Sequence, residues 1–500
     1  MRTLSYFALT VLATLAVSVP GVWAQGQDQQ PAQGTSQQTQ GQSAQPIQAY
    51  HSPLAGAGDN GEAEDASGGA ETLVPDNRSL AGSEYLSLGA PKTGYHFWSP
   101  YFELSSTLDS NPVTSTGGAG WSTWATIYGG LNLHRTSGNS DVALSYLGGE
   151  AFSTGSGIGD STIQQLGISD RITFRRSAVM FTDQLAYLPE ASFGYAGVGG
   201  PDLEFGGNVG LQSGFTPNQS ILTGLGDRVS NAFVTEFDTF LTPRSTLTFV
   251  GSYGLLDYFG SDLNNNREAI FQGGYNYLLT RKDTIAFLYR FDALRYDHIA
   301  QSINSHAVEV SYARRLTGRL ALQLAGGPDV AFSETPITGT STSPVGIGTA
   351  SGKTRQFFWN LNSSVNYALR RMALQLSYNH GVTGGSGVLA GAITDNVTGS
   401  LSRQLTRTTR GAWNIGYSRN TGDNISIISP STFSGQTYDY WFTGLNVSRT
   451  LARGADLNVG YQVNYQNSNS SFCVTATCGN TYLQNQISLT LGWHRRPIGF

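Results

Sequence analysis

Between residues 455 and 467 hydrophobic and polar side chains alternate at every step. Leu457, Val459, Tyr461, Val463 and Tyr465 fall on one side, and Asp456, Asn458, Gly460, Gln462, Asn464 and Gln466 on the other. A period of two is that of an extended strand, because successive Cβ atoms leave opposite faces of the pleat. The same alternation runs through 356–369, where Phe357, Trp359, Leu361, Val365, Tyr367 and Leu369 oppose Gln356, Asn360, Asn362, Ser364 and Asn366. It returns near the end of the chain, where Leu483, Ile487, Leu489, Leu491 and Trp493 oppose Gln484, Gln486, Ser488, Thr490 and Gly492. One face is apolar throughout, and the other demands water or hydrogen bonds. A closed sheet with hydrocarbon outside and water inside produces this pattern.

From Tyr95 onward the chain repeats a hairpin unit: an alternating strand, a short turn carrying Arg or Lys, a second strand, and a longer loop rich in Gly, Asn, Ser and Thr. The short turns fall near 135–140, 175–177, 243–245, 281–283, 317–318, 370–371, 407–409 and 452–454. Eight such turns join sixteen strands, and one further strand at each end brings the total to about 18. An even count with both termini on the short-turn side suits a single-chain bacterial barrel. The expected fold is therefore all-β, a transmembrane antiparallel up-and-down β-barrel; 16 strands is the alternative if the first belongs to a plug or loop. Longer loops are expected to face the exterior near 109–120, 154–161, 190–229, 260–267, 298–304, 334–353, 383–393, 421–436 and 469–480. Loop 190–229 is the longest, and it either folds inward as a constriction or caps the outside.

The N-terminus changes the domain picture. Arg2, an apolar run from Leu4 to Val19, Pro20 and the small-residue pattern ending at Ala24 predict a signal peptide over 1–24, removed on export. Residues 25–94 are rich in Gln, Ser, Gly, Ala and Pro with an acidic cluster (Asp59, Glu62, Glu64, Asp65, Glu71), and are expected to form a disordered periplasmic tail. The barrel is assigned to 95–500. No apolar run of eighteen residues follows the signal, so any crossing must be made by strands. A formal net charge of −5 in 500 residues, without a basic aromatic patch, gives no reason to expect nucleic acid.

Candidate chemistry is sparse. The inner face is expected to be mostly Asn, Gln, Ser, Thr and Gly, lining a lumen with Asn360, Asn362, Asn458, Gln462, Asn464, Gln484 and Gln486. Charges of both signs are placed there at Glu236, Asp238, Arg290, Asp292, Glu309, Arg315 and Asp456. Lys at Gln462 or Asn464 is accordingly expected to be tolerated, and Lys at Tyr461 or Val463 is not. Cys473 and Cys478 share the last exterior loop, where a disulfide is expected; no third Cys or His stands near to complete a metal site. Gly346, Gly348, Gly352, Lys353 and Thr354 imitate a phosphate loop, but the first glycine of that pattern would stand at Ile347, and strand rather than helix follows. Asp297, His298 and His306 could serve a rim hydrolase only with a partner brought across strands, so no catalytic residue and no cofactor are expected.

Basic residues gather at the short turns, among them Arg175, Arg176, Arg244, Arg281, Lys282, Arg319 and Arg407, and are expected to meet lipid headgroups. Asp170 and Asp183 break the alternation. A symmetric turn at Arg176-Ser177 would set them opposite each other on the lipid face, so a bulge turning them inward is expected.

The turns Leu241-Thr242-Pro243-Arg244 and Leu279-Thr280-Arg281-Lys282, with the signal peptide and the low-complexity tail, give the chain a resemblance over 95–500. It resembles outer-membrane beta-barrel porins whose genes often stand beside those for exopolysaccharide. That resemblance implies the bacterial outer membrane, its lipid and the barrel assembly machinery as partners, and passive passage of small hydrophilic solutes, saccharides or exopolysaccharide. The end of the chain departs from the usual assembly signal, because Pro497 separates Trp493 from Phe500. The polar inner face makes the same channel the expected function. A plugged structural or partner-binding barrel is the alternative, and a rim hydrolase is the third.

Overall fold

The computed structural model describes residues 97–110, 121–153, 160–188, 228–259, 264–297, 301–337, 350–369, 371–385, 389, 391–422, 436–452, 454–468, 481–495 and 498–499. The chain forms β1 (Phe97–Asp109), β2 (Ser122–Ser137), β3 (Ser140–Ser153), β4 (Ser161–Thr173), β5 (Ser177–Leu188), β6 (Arg228–Thr242), β7 (Ser245–Tyr258), β8 (Asn266–Leu278) and β9 (Asp283–Tyr296). It continues with β10 (Ser302–Arg315), β11 (Leu320–Ile337), β12 (Ala350–Leu369), β13 (Met372–Thr383), β14 (Ala392–Gln404), β15 (Thr409–Gly422), β16 (Thr437–Ala452), β17 (Ala455–Ser468), β18 (Tyr482–His494) and the two-residue β19 (Ile498–Gly499).

Every long strand pairs antiparallel with its neighbours in sequence, and β1 pairs with both β2 and β18. The sheet is therefore a closed antiparallel barrel of 18 long strands, with β19 added to the start of β1. Closure leaves no long unpaired edge in the sheet. A typical strand here has 14 residues; at ~3.3 Å per residue and a tilt of about 40° it rises about 35 Å, enough to cross a membrane's apolar band.

Alternation fixes the faces. Phe233 and Phe237 on β6, Phe249 and Tyr253 on β7, Phe271 on β8, Phe287 and Tyr289 on β9 and Val308 and Val310 on β10 are exposed on the outer surface, and the belt continues through Trp413, Trp441 and Leu445 to Leu489 and Leu491. Large apolar side chains exposed on strand after strand make a surface for lipid.

The short turns show why Leu-Thr recurs. In four of them the Thr hydroxyl accepts the backbone N–H two residues on: Arg244 to Thr242 (3.2 Å), Lys282 to Thr280 (3.1 Å), Arg319 to Thr317 (3.1 Å) and Thr408 to Thr406 (3.3 Å). The side chain stands in for a backbone acceptor and fixes the reversal. The preceding Leu241, Leu279, Leu316 and Leu405 stay exposed at the rim of the belt. In the β16–β17 turn Gly454 has φ +80°, and a Cβ there would meet the His494 carbonyl oxygen.

Two expectations are corrected. The β4–β5 hairpin is not symmetric about Arg176-Ser177; Asp170 pairs with Phe181 and Asp183 with Ile168, in an unbroken register without a bulge. The carboxylates stand diagonally on the outer face and find separate partners, Ser140 Oγ donating to Asp170 (2.8 Å) and Asn231 Nδ2 to Asp183 (2.7 Å). The β11–β12 loop is shorter than 334–353, because pairing continues to Ile337 and Ala350. Residues 1–96 and most of loop 190–229, Cys473 and Cys478 lie outside the described residues.

Candidate channel lumen

The side chains opposite the apolar belt converge on the barrel interior. Continuous register carries the inward face from one strand to the next, for example Glu236 and Asp238 on β6, Asp292 on β9, Glu309 on β10 and Asn362 on β12. Each of the inward residues named from the sequence stands on this side, but their surroundings divide the wall into three sectors.

The first sector lies on β5 to β11 and is charged and packed. Asp238, buried, accepts a hydrogen bond from Thr248 Oγ1, which also receives Asn276 Nδ2 at 3.3 Å. Arg290 donates to Asp292 at 3.2 Å and lies in the field of Glu309 and Glu268. Asp329, missed in the sequence, accepts from Ser305 and faces the same group. These polar residues adjoin inward apolar clusters that the alternation did not suggest, Val234 with Val250 and Ile270, and Leu294 with Tyr296 and Ile303. Arg315 ends β10 at the short-turn rim, its backbone N–H held by the Lys282 carbonyl (2.9 Å).

The second sector runs over the seam where the barrel closes. Asn464 Oδ1 accepts Gln462 Nε2 (2.7 Å) and the Tyr440 hydroxyl (3.0 Å), while Asn464 Nδ2 donates to Gln484 Oε1 (2.9 Å). Gln484 Nε2 and Gln486 Nε2 then both reach Asp109 Oδ2, at 2.6 and 3.0 Å. Asn464 is 0% exposed. Asn464, Gln462 and Gln484 pair with one another, which offsets the desolvation cost of burying them, while Gln486 Oε1 finds no hydrogen-bond partner among the described residues. Asp456 pairs with His494 at 3.1 Å nearer the rim, and Asn458 beside it is half-buried.

The third sector, β12 to β16, is different. Its inward positions include Asn360, Asn362 and Asn366 on β12, Gln375 and Asn379 on β13, Asn396 and Ser400 on β14, Asn414 on β15 and Asn446 on β16. Gln375 is exposed and Asn362, Ser400, Asn414 and Asn446 are half-buried. Among the described residues, this inward stretch carries no acidic or basic side chain except Arg410 at the turn end. Gly416 lies under the Phe442 ring on the same inner face, and a Cβ at 416 would overlap it. Sequence spacing found Asn360 and Asn362 and missed Gln375 and Asn414, although the same alternation carried them.

Of the residues weighed for hydrolysis, His306 points outward, its Nδ1 2.8 Å from the Tyr289 hydroxyl and its ring among Phe291 and Phe332. Asp297 pairs with Arg267 at 3.3 Å. His298 lies outside the described residues. Lys353 and Thr354 of the phosphate-loop imitation are part of β12.

A closed, even-numbered antiparallel barrel with an apolar outer belt is the architecture of the bacterial outer membrane. No protein-family model matches the chain, and no curated protein matches it. Among solved structures it is similar to the outer membrane protein OpdK from Pseudomonas aeruginosa, with a TM-score of 0.38 and 9% identity, covering 80% of this chain and 100% of that one. It is also similar to OpdQ of Pseudomonas aeruginosa, with a TM-score of 0.37 and 12% identity over 80% of this chain and 99% of the other. A third likeness is to OccAB1 of Acinetobacter baumannii, with a TM-score of 0.39 and 11% identity over 80% and 96%.

Proposed function

We propose that the chain is an outer-membrane channel for passive passage of neutral hydrophilic solutes, saccharides included, with its short turns toward the periplasm. The observation that carries this is the inner wall of β12 to β16 on its short-turn side, uncharged but for Arg410 at the turn, where Gln375 is exposed and the half-buried Asn362 and Asn414 offer amides. Such groups exchange hydrogen bonds with sugar hydroxyls and give an ion no strong field to bind. A second reading, a barrel too occluded to conduct, draws on the packing of the other two sectors, in which Glu236, Gln462 and Asn464 are all buried.

Single-channel recording on the full chain separates the two. The channel reading expects steady conductance with weak ion selectivity, reversible blocking by oligosaccharides, and a shift of reversal potential toward anions in Gln375→Lys. A membrane with correctly folded protein and no conductance supports the occluded barrel and removes the channel.

A further inference from the structure

The outer surface of β9 to β12 carries a cleft at the long-loop rim that neither the lumen nor the fold requires. It has a volume of about 490 Å³, and Phe291, His306 and Phe332 meet Arg295, Asn304 and Lys353 in its lining. Register arranges the outward side chains here in three rows. Phe291, His306, Val330 and Phe357 form the row nearest the belt. Asn304, Phe332 and Arg355 form the next, and Arg295, Glu334 and Lys353 the one at the rim. Hydrocarbon-like surface thus gives way to cations within three rows of residues.

The cations are held ready. Arg295 Nη1 donates to the Leu294 carbonyl (2.8 Å) and Nη2 to Asn304 Oδ1 (2.8 Å), which lays the guanidinium along the wall. Arg355 stands over two aromatic rings, with its Cζ 4.5 Å from the Phe357 centroid and 5.6 Å from that of Phe332. Among the described residues no carboxylate pairs with it. Lys353 shares Glu334 at 2.5 Å and remains 68% exposed. Three cations therefore face one carboxylate, in a chain whose net charge is −5. The neighbouring Arg267, cross-strand from Arg295, is already paired with Asp297, and farther round the rim Arg419 pairs with Asp439.

We propose that this cleft binds the phosphate of an outer-leaflet phosphoglycolipid, with the acyl chains lying along the exposed Val308, Val310, Leu324 and Trp359 below it. The placement in the outer leaflet rests on the orientation adopted under the proposed function. A phosphate monoester carries about −1.5 to −2 charges at neutral pH, which matches the surplus of cations. Guanidinium groups meet phosphate oxygens through paired N–H donors. The aromatic floor excludes water from one side of the contact, and the acyl track selects a lipid over a soluble anion.

Native mass spectrometry of the full-length folded barrel in detergent tests this, with diphosphorylated lipid A, its dephosphorylated form and phosphatidylglycerol as probes. One diphosphorylated lipid should be retained in preference to the other two. The double variant Lys353→Gln, Arg355→Gln should lower that retention about 30-fold, from two cations each contributing near a membrane surface. Arg419→Gln, on the same rim but outside the cleft and paired with Asp439, should leave it unchanged. Only the fraction that shows heat-modifiable mobility is scored, and Arg355→Lys, which keeps charge and loses the stacked plane, replaces the double variant should that fail to fold; it too should weaken retention. Equal retention of phosphorylated and dephosphorylated lipid overturns the site, as does undiminished retention in the cleft variants or full displacement by inorganic phosphate. Conductance of the same samples separates the two proposals: a conducting barrel without selective retention loses only the cleft, and a silent barrel with it loses only the channel.

Discussion

Asn464 offers the sharpest test of how the interior is built. Replacing it by Ala removes three hydrogen bonds and leaves Gln462 Nε2, the Tyr440 hydroxyl and Gln484 Oε1 without that partner in a buried setting. Each orphaned buried group costs about 1–3 kcal/mol, and water entering the gap recovers part of it, so the expected loss is about 3 kcal/mol. Gln375→Ala serves as the comparison, because Gln375 is exposed on the same inner surface and its removal should stay within about 0.5 kcal/mol. Urea unfolding in lipid vesicles, followed by tryptophan emission, measures both. The same reasoning reverses an expectation from alternation alone: Asn464→Lys would bury an unpaired charge and lower the yield of folded barrel, whereas Gln375→Lys should insert normally. If Asn464→Ala and Gln375→Ala cost the same, or Asn464→Lys folds as well as Gln375→Lys, the hydrogen-bonded seam sector does not exist as described.

Leu445, 55% exposed on the outer face of β16, should lose about 2–4 kcal/mol on Leu445→Arg, read as folded yield in vesicles; an unaffected yield would remove the lipid-facing assignment. Gly454→Ala should destabilise by at least about 1 kcal/mol in the same unfolding assay, since φ +80° and the His494 carbonyl both oppose a Cβ. Mass spectrometry without reductant should find Cys473 joined to Cys478, and two free thiols in the folded barrel would refute the bridge.

Alternation made the strands legible, because it reports a local geometric fact: which side of the pleat each residue occupies. It placed Asn464 on the inner face; the same alternation carries Gln375 there, where the sequence reading passed over it, and does not distinguish the two. Whether an inward amide meets water or another amide depends on strands far away in sequence, as when Gln484 reaches Asp109. The inward apolar trio Val234, Val250 and Ile270 was hidden for the same reason, since each comes from a different strand. The Asp170–Asp183 pairing failed on a different ground: it assumed a symmetric turn, and the hairpin closes on Thr173 and Ala178 instead. The cleft on β9 to β12 was invisible because its residues become neighbours only through register across four strands.

The seam has a consequence for how the barrel forms in time. All other strand pairs join neighbours in sequence, but closure must bring Ser105 to Thr490, whose hydroxyls sit 3.0 Å apart, and Pro100 to Arg495, whose N–H bonds its carbonyl at 3.1 Å. Bringing such distant segments together carries the largest loop-closure entropy in the molecule and is the slowest pairing to search for. Hairpins can therefore zip into an open sheet long before it becomes a cylinder. During that interval just two strands, Phe97–Asp109 and Tyr482–His494, expose unsatisfied backbone, and these are where a stray copy of the chain could add on. Whatever escorts the nascent chain need guard only those two edges, and the final Ile498–Gly499 pairing with Phe97 and Trp98 latches the ring once they meet.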